Sequence, residues 1–254
     1  MTSPARSLAA IITGAESGIG RATALELATD YGRLGLTWYR SKSAINAVAQ
    51  EVSSLGAAVA VEYLDLSDLE GICAPIQRLV DAIGPVDLLV NNAAMPYSER
   101  LLDCRLDDLR AVIDVNLIGP VVVTQIIARQ IVAERRSGVV VNVTSVLQDR
   151  AKVGSSIYAS AKAGLAAMTR GAALEWGPAN IRVLAVAPGE ILTAMNDQEG
   201  MDPFSLPRTA IPLQRPGTPQ EVARVIRHLA DPGSSYLTGT TIICDGGMTL
   251  PVPE

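Results

Sequence analysis

The sequence predicts an α/β fold: a doubly wound, seven-stranded, mostly parallel sheet flanked by helices on both faces. Three observations predict it. Short aliphatic runs alternate with segments of helical periodicity from end to end, the pattern of repeated strand–helix–strand units with right-handed crossovers. Hydrophobic residues make up 48% of the chain but aromatics only 4%, so the core is built from Ala, Val, Leu and Ile, as strands buried on both faces require. No internal repeat and no linker rich in Pro, Gly or Ser divides the 254 residues, so residues 1–254 read as one domain.

The elements follow in order. The aliphatic run 8–13 is the first strand, and 18–31 the helix after its glycine turn. Strand 34–40 leads into helix 42–55, and the Ala/Val run 57–63 into helix 67–83. Strand 86–91 passes through a polar connection to one long helix, 106–136. The valine run 138–144 precedes helix 155–176, and 181–187 is the sixth strand. Helix 218–230 and strand 240–244 close the chain. The connection 190–219 is polar, broken by Pro203, Pro207, Pro212 and Pro216, and long for a compact domain; a connection of that kind reads as a substrate lid.

Composition excludes several classes. Lys and Arg total 21 against 26 Asp and Glu, a net charge of −5 without a basic run, a poor match for nucleic acid or an anionic membrane. Cys73, Cys104 and Cys244 are odd in number and lack metal-ligand spacing, so neither a disulfide framework nor a metal site is expected. The apolar run Leu8 to Ile12 is too short for a signal peptide or a membrane span. The expectation is a cytoplasmic protein.

The first strand ends in Thr13-Gly14-Ala15-Glu16-Ser17-Gly18-Ile19-Gly20 and enters a helix at once. Gly14 permits the tight turn, and Gly18 and Gly20 let the backbone approach a pyrophosphate while the helix packs close to the sheet. The helix N-terminus then offers unpaired N–H groups to phosphate. At the end of the second strand, where an adenosine ribose lies in such folds, an acidic residue binds a 2′-hydroxyl and an Arg accommodates a 2′-phosphate. Arg40, with Ser41, favours NADP(H) over NAD(H); Glu16 argues the other way by repulsion, so use of NAD(H) stays open.

Tyr158 and Lys162 stand four residues apart on a helix and project from one face. A free phenol, with a pKa near ~10, is a poor proton-transfer group at neutral pH, but a neighbouring ammonium and an oxidised nicotinamide would lower that value. The phenol then serves as general acid for carbonyl reduction or general base for alcohol oxidation. Ser145 ends the fifth strand, and its hydroxyl can orient the substrate oxygen towards Tyr158; Thr144 is its rival, since strand alternation turns only one of the two to the site.

The turn T-G-x-x-x-G-I-G, the Asn91-Asn92-Ala93-Ala94 segment, the Ser145/Tyr158/Lys162 spacing and Pro188-Gly189-Glu190-Ile191-Leu192-Thr193 come in the order that resembles the short-chain dehydrogenase/reductase family. Ala94 departs from the family's N-N-A-G. The resemblance implies a Rossmann-type fold and hydride transfer between nicotinamide and a carbonyl or secondary alcohol carbon. It assigns adenine contacts to Asp65 and Leu66, cofactor contacts to Asn92, Ala93, Pro188 and Gly189, and the nicotinamide carboxamide to Ile191 and Thr193. It also implies a water held by Asn116 that relays protons to Lys162, and a homotetramer. Beside Ser145, Gln148, Glu190 and Met195 are the candidate substrate contacts, the first two of these pointing to a sugar or polyol and Met195 to an apolar ketone. The rival reading is a catalytically silent NAD(P)-sensing protein. His228 reads as a helix-surface or interface residue.

Overall fold

The computed structural model describes residues 8–193 and 208–250. Its seven strands are β1 (Ala9–Ile12), β2 (Arg33–Trp38), β3 (Ala58–Tyr63), β4 (Leu88–Asn91), β5 (Gly138–Val143), β6 (Ile181–Pro188) and β7 (Thr241–Cys244). They form one sheet in the order β3-β2-β1-β4-β5-β6-β7. Every pairing is parallel, so the sheet is wholly rather than mostly parallel. The strand order reverses between β1 and β4, and the crevice that opens there at the carboxyl edge is the binding point of doubly wound sheets.

Alternation along the buried strands feeds two cores. One face of the sheet, with Ile12, Leu36, Val90, Val141 and Val186, packs against Leu27 of α1 (Gly18–Leu27), Val48 of α2 (Lys42–Ser54) and Ile226 of α7 (Pro219–Ala230). The opposite face, with Ile11, Leu89, Val140 and Val183, packs against Leu79 of α3 (Cys73–Ile83), Ile127 of α5 (Gly119–Ala133) and Ala172 of α6 (Ser156–Trp176). Because successive strand side chains point to opposite faces, each aliphatic run supplies both layers at once.

Two helices differ from the sequence expectation. The third begins at Cys73 rather than 67, because the Asp68 carboxylate accepts the Gly71 N–H at 3.1 Å and holds a turn ahead of it. Such local side-chain-to-backbone bonds compete with the helix. The single helix expected over 106–136 is instead α4 (Leu106–Ile113), a π turn over Asp114–Ile118, and α5. The stretch Leu106–Ala133 is long and apolar enough to cross a membrane by length and composition, but Val123, Ile127 and Ile131 are buried in the core of the fold.

Of the connection expected as a lid, residues 194–207 lie outside the described residues. Its two ends are tied together: Leu192 N–H donates to the Gly217 carbonyl and Gly217 N–H to that of Glu190, each at 2.9 Å. Beyond the tie, Ile211 is buried and Leu213 N–H donates to the Gly246 carbonyl at 3.2 Å. This stretch packs on the turn that follows β7.

Candidate active site

At the carboxyl edge a cleft of about 910 Å³ is lined by the glycine turn, the ends of β4 and β5 and the residues after β6. That volume suits a dinucleotide-sized ligand with a small substrate beside it. The glycine turn is built from within. Gly14 has φ +64, which a side chain resists, and a Cβ on Gly20 would stand 2.2 Å from the Gly14 carbonyl oxygen. Ser17 precedes α1 without a capping side-chain bond, so the first N–H groups of that helix are left for an anion. Asn92 locks the turn, its amide donating to the carbonyls of Thr13 and Gly14 at 2.9 and 3.0 Å. Thr13 Oγ1 accepts the N–H groups of Asn92 and Ala93, both at 3.0 Å. A positive helix terminus and a cradle too tight for side chains fit a pyrophosphate.

Ser145, Tyr158 and Lys162 share one wall of the cleft. Strand β5 delivers Ser145 at its end, and α6 presents Tyr158 and Lys162 on adjacent turns of one face. Thr144 also reaches the cleft, but its hydroxyl donates to the Val186 carbonyl at 3.0 Å; the Ser145 hydroxyl accepts the Leu147 N–H at 3.2 Å and meets Tyr158. Lys162 is 1% exposed; its Nζ donates to the Val143 carbonyl at 2.9 Å and lies 5.7 Å from the centre of the Tyr158 ring. Burial pulls the lysine down to about 8. Burial also pushes the Tyr158 phenol up to about 12, with a hydrogen bond to Ser145 working in the other direction. The sequence reading expects a lowered phenol; the structure shows the opposite direction, because desolvation disfavours the charged form and outweighs the Ser145 hydrogen bond.

Asn116 sits in the π turn, fully buried. Its amide donates to the carbonyls of Met95 and Val112 at 2.9 and 3.0 Å, and its Oδ1 accepts the Met95 N–H at 3.2 Å. The side chain is therefore a clasp between this helix and the loop after β4, with both amide protons engaged in it.

The cleft also gathers Gly14, Ser17, Gly18, Ile19, Arg40, Asn92, Ala93, Pro188, Gly189, Glu190, Ile191 and Thr193 from among the expected residues. Others stand off its surface. Gly20 is buried behind the turn. Ser41 caps α2, accepting the Ala44 N–H at 3.2 Å. Asp65 accepts both the N–H and the hydroxyl of Ser67, at 2.8 and 2.6 Å, and Leu66 is buried. Gln148, expected to face a substrate, instead donates to Asp149 at 2.9 Å. Met195 lies outside the described residues. Glu190 reaches the cleft, but not as a free carboxylate: Arg208 Nε donates to it at 2.7 Å. Ala94, the departure from glycine, is not among the described residues with positive φ, so the loop is unstrained there. His228 is exposed on α7, 3.5 Å from the Ser234 hydroxyl.

Sequence reasoning missed Arg208 and Met248 as cleft residues. It also missed a buried polar chain beneath the cleft. Asn91 donates to Thr124 at 2.7 Å and to Asn142 at 2.8 Å, and Asn142 donates to Thr169 at 2.9 Å. The signal was present in one place, since Asn142 interrupts a run of valines. Buried polar groups of this kind require partners, and here they tie β4 and β5 to α5 and α6.

Known proteins match this chain over most of its length. Residues 14–249 match the family profile described as Enoyl-(Acyl carrier protein) reductase. The uncharacterized oxidoreductase YohF of Escherichia coli (strain K12) is 36% identical over 245 residues, 96% of this chain and 97% of that protein. The chain belongs to the short-chain dehydrogenase/reductase family. Within that family, a 3-oxoacyl-[acyl-carrier-protein] reductase FabG of Thermotoga maritima is 38% identical over 94% of this chain and 97% of its own length. Among solved structures, the acetoin dehydrogenase YohF from Salmonella typhimurium superposes with a TM-score of 0.91 at 35% identity, covering 97% of this chain and 98% of that one. A short-chain dehydrogenase from Burkholderia cenocepacia J2315 in complex with NADP superposes with a TM-score of 0.89 at 31% identity, covering 97% and 99%. This short-chain dehydrogenase/reductase is accordingly an NAD(P)-dependent oxidoreductase acting on CH–OH or C=O groups.

Proposed function

We propose that the protein reduces a small ketone, and oxidises the matching secondary alcohol, with Tyr158 as general acid and base and NADP(H) as the favoured cofactor. The observation that carries this reading is the gathering of Ser145, Tyr158 and Lys162 in one cleft that the glycine turn also lines. The nicotinamide, when bound, supplies or accepts the hydride. The chain's residues manage the oxygen and its proton. Ser145 Oγ holds the substrate oxygen, and Tyr158 Oη gives it a proton in reduction or takes one in oxidation. The Lys162 ammonium, fixed against the Val143 carbonyl, steadies the phenolate. Asn116 positions the loop from Met95 that forms the facing wall. Pro188, Gly189, Ile191 and Thr193 support the nicotinamide end, Arg40 meets a 2′-phosphate, and Glu190 with Arg208 borders the substrate.

A small ketone is favoured over a sugar because, of the polar residues expected to bind hydroxyls, Glu190 is paired with Arg208 and Gln148 does not line the cleft. The remaining wall includes Pro96, Tyr97, Val146, Leu147 and Met248. Relatives named acetoin dehydrogenase and 3-oxoacyl reductase support a ketone beside a second oxygen. Free Cys73, Cys104 and Cys244 are compatible with a cytoplasmic setting. The assembly we infer is a homotetramer, to which the half-exposed edge strand β7 with Ile243 would offer an apolar surface; light scattering that gives a monomer would overturn it.

The test follows nicotinamide absorbance for purified protein with NADPH and then NADH, against acetoin, other ketones and sugars in both directions. The expected result is turnover on ketones that disappears in Tyr158→Phe. Turnover that survives this change, or activity confined to sugars, contradicts the reading.

A further inference from the structure

Glu16 stands inside the glycine turn, and its carboxylate reaches across to the end of β2. One oxygen accepts the Tyr39 N–H and the other the Arg40 N–H, each at 2.8 Å. The seam between turn and strand already closes without it: Gly14 N–H donates to Thr37 Oγ1 at 3.1 Å, and Ala15 N–H to the Thr37 carbonyl at 2.9 Å. Glu16 extends that seam past Trp38, the last residue of β2 paired with β3. Two successive backbone N–H groups beside a guanidinium make a concavity suited to an anion. Here the anion is the protein's own carboxylate. Glu16, Tyr39 and Arg40 all line the cleft, and the end of the second strand is where this fold places the adenosine ribose.

We propose that Glu16 determines cofactor specificity by acting as a built-in anion, holding the backbone donors that a 2′-phosphate would otherwise take. The inference rests on the reading of the cleft as an NAD(P) site and adds what limits the choice within it. A 2′-phosphate must displace the Glu16 carboxylate or bind against its charge. A 2′-hydroxyl meets no such opposition and can donate to the same carboxylate. Arg40 alone therefore gives an incomplete account of this corner: its attraction for the phosphate is offset by a negative charge in contact with its own backbone.

The test is equilibrium binding to the full chain by titration calorimetry, with NADPH, NADH, 2′,5′-ADP and 5′-AMP as ligands. Glu16→Gln keeps the side-chain length and one of the two acceptors, removes the charge, and releases the second backbone N–H, since an amide NH2 cannot accept it. It should tighten NADPH and 2′,5′-ADP by about tenfold, the order expected from one partly screened charge a few ångströms away. NADH and 5′-AMP should change by less than about threefold, and the gain for the phosphorylated pair should shrink as salt is raised. Parallel changes for all four ligands would make Glu16 a structural brace and overturn the proposal, as would an unchanged NADPH-to-NADH ratio. Glu16→Ser, read by the same ratio, serves if the Gln variant does not fold. A wild-type protein that binds none of the four ligands defeats the cofactor reading itself. One that binds both dinucleotides with a ratio insensitive to residue 16 defeats only this inference.

Discussion

Burial moves Tyr158 and Lys162 in opposite directions, the phenol up to about 12 and the ammonium down to about 8, so each group is held nearer its neutral form. Removing the Tyr158 hydroxyl should lower kcat/KM by ~10²–10⁴-fold, the usual contribution of a positioned acid or base, while dinucleotide affinity stays within a few-fold. Absorbance kinetics alongside calorimetry separate the two, and a variant that keeps full turnover would exclude the role. Lys162 also has a stability signature. Between about 8 and 10.5 the unfolded chain still holds the lysine proton that the folded chain has lost, so stability rises with pH through that window. Lys162→Met should therefore be more stable than wild type near neutral pH, with the advantage fading as pH passes through it. Chemical denaturation at several pH values reads this directly; a difference independent of pH would show that the lysine is not destabilised by burial. Of these residues the Tyr–Lys pair was legible, because helical spacing alone puts both on one face. The Glu190–Arg208 pair and the grip of Glu16 on two backbone amides were not. Neither partner announces the other across 18 or 23 residues of chain, and a backbone N–H has no side-chain signature.

Among the elements, α7 shows how local chemistry fixes a boundary. Thr218 and Glu221 form a reciprocal capping box, and Arg215 donates to the same carboxylate at 2.6 Å. The Arg215 guanidinium, with the Thr218 backbone, holds Glu221 down to about 2. Its contribution to stability is present above the usual carboxylate value and is lost as pH falls through the folded one. Glu221→Gln should thus cost ~1 kcal/mol or less, given the partial exposure of the pair. The gap to wild type should close in acid, as denaturant melts would show. The sequence located this start to within one residue, since Thr-Pro-x-Glu carries the cap and the N1 proline together. It did not locate the π turn at Asp114–Ile118. One widened turn hardly disturbs the apolar periodicity of a long helix, and only the packing of Asn116 against Met95 reveals its use. The glycine turn belongs to the same scale. Gly20→Ala would drive a Cβ into the Gly14 carbonyl and the Asn92 amide, so binding of both dinucleotides should fall together. Preserved binding would mean that the turn relaxes without consequence.

For the whole molecule, the strand order matters most, because it opens the crevice between β1 and β4 and brings the ends of β1, β4, β5 and β6 around one cleft. A ligand held by so many elements stabilises them jointly. A dinucleotide at ~100 times its dissociation constant adds ~2.7 kcal/mol, which for a chain of this size raises the melting temperature by about 5–10 °C. Thermal melts with NADPH, NADH and neither give this value, and the absence of a shift with both would argue against the cleft as their site. The buried chain Asn91–Asn142–Thr169 acts at the same scale, joining two strands that carry cleft residues to the helices beneath them.

Order and type of the elements, the glycine turn, and the candidate trio Ser145, Tyr158 and Lys162 were legible in the sequence by itself, because they depend on period, local turn chemistry and spacing along one chain. What tertiary structure decided was which polar groups remain free. Glu190, Gln148, Thr144, Asn116 and Glu16 all carry side chains able to meet a ligand or solvent. Each is found with a partner, though Gln148 only through its amide nitrogen, its oxygen being buried without one; a polar group near a buried wall loses water and draws its hydrogen bonds from whatever the fold brings within reach. For Gln148 that partner is its sequence neighbour Asp149; for the others it lies across the sheet edge, in an adjoining loop or on a nearby backbone, and only the folded chain identifies it.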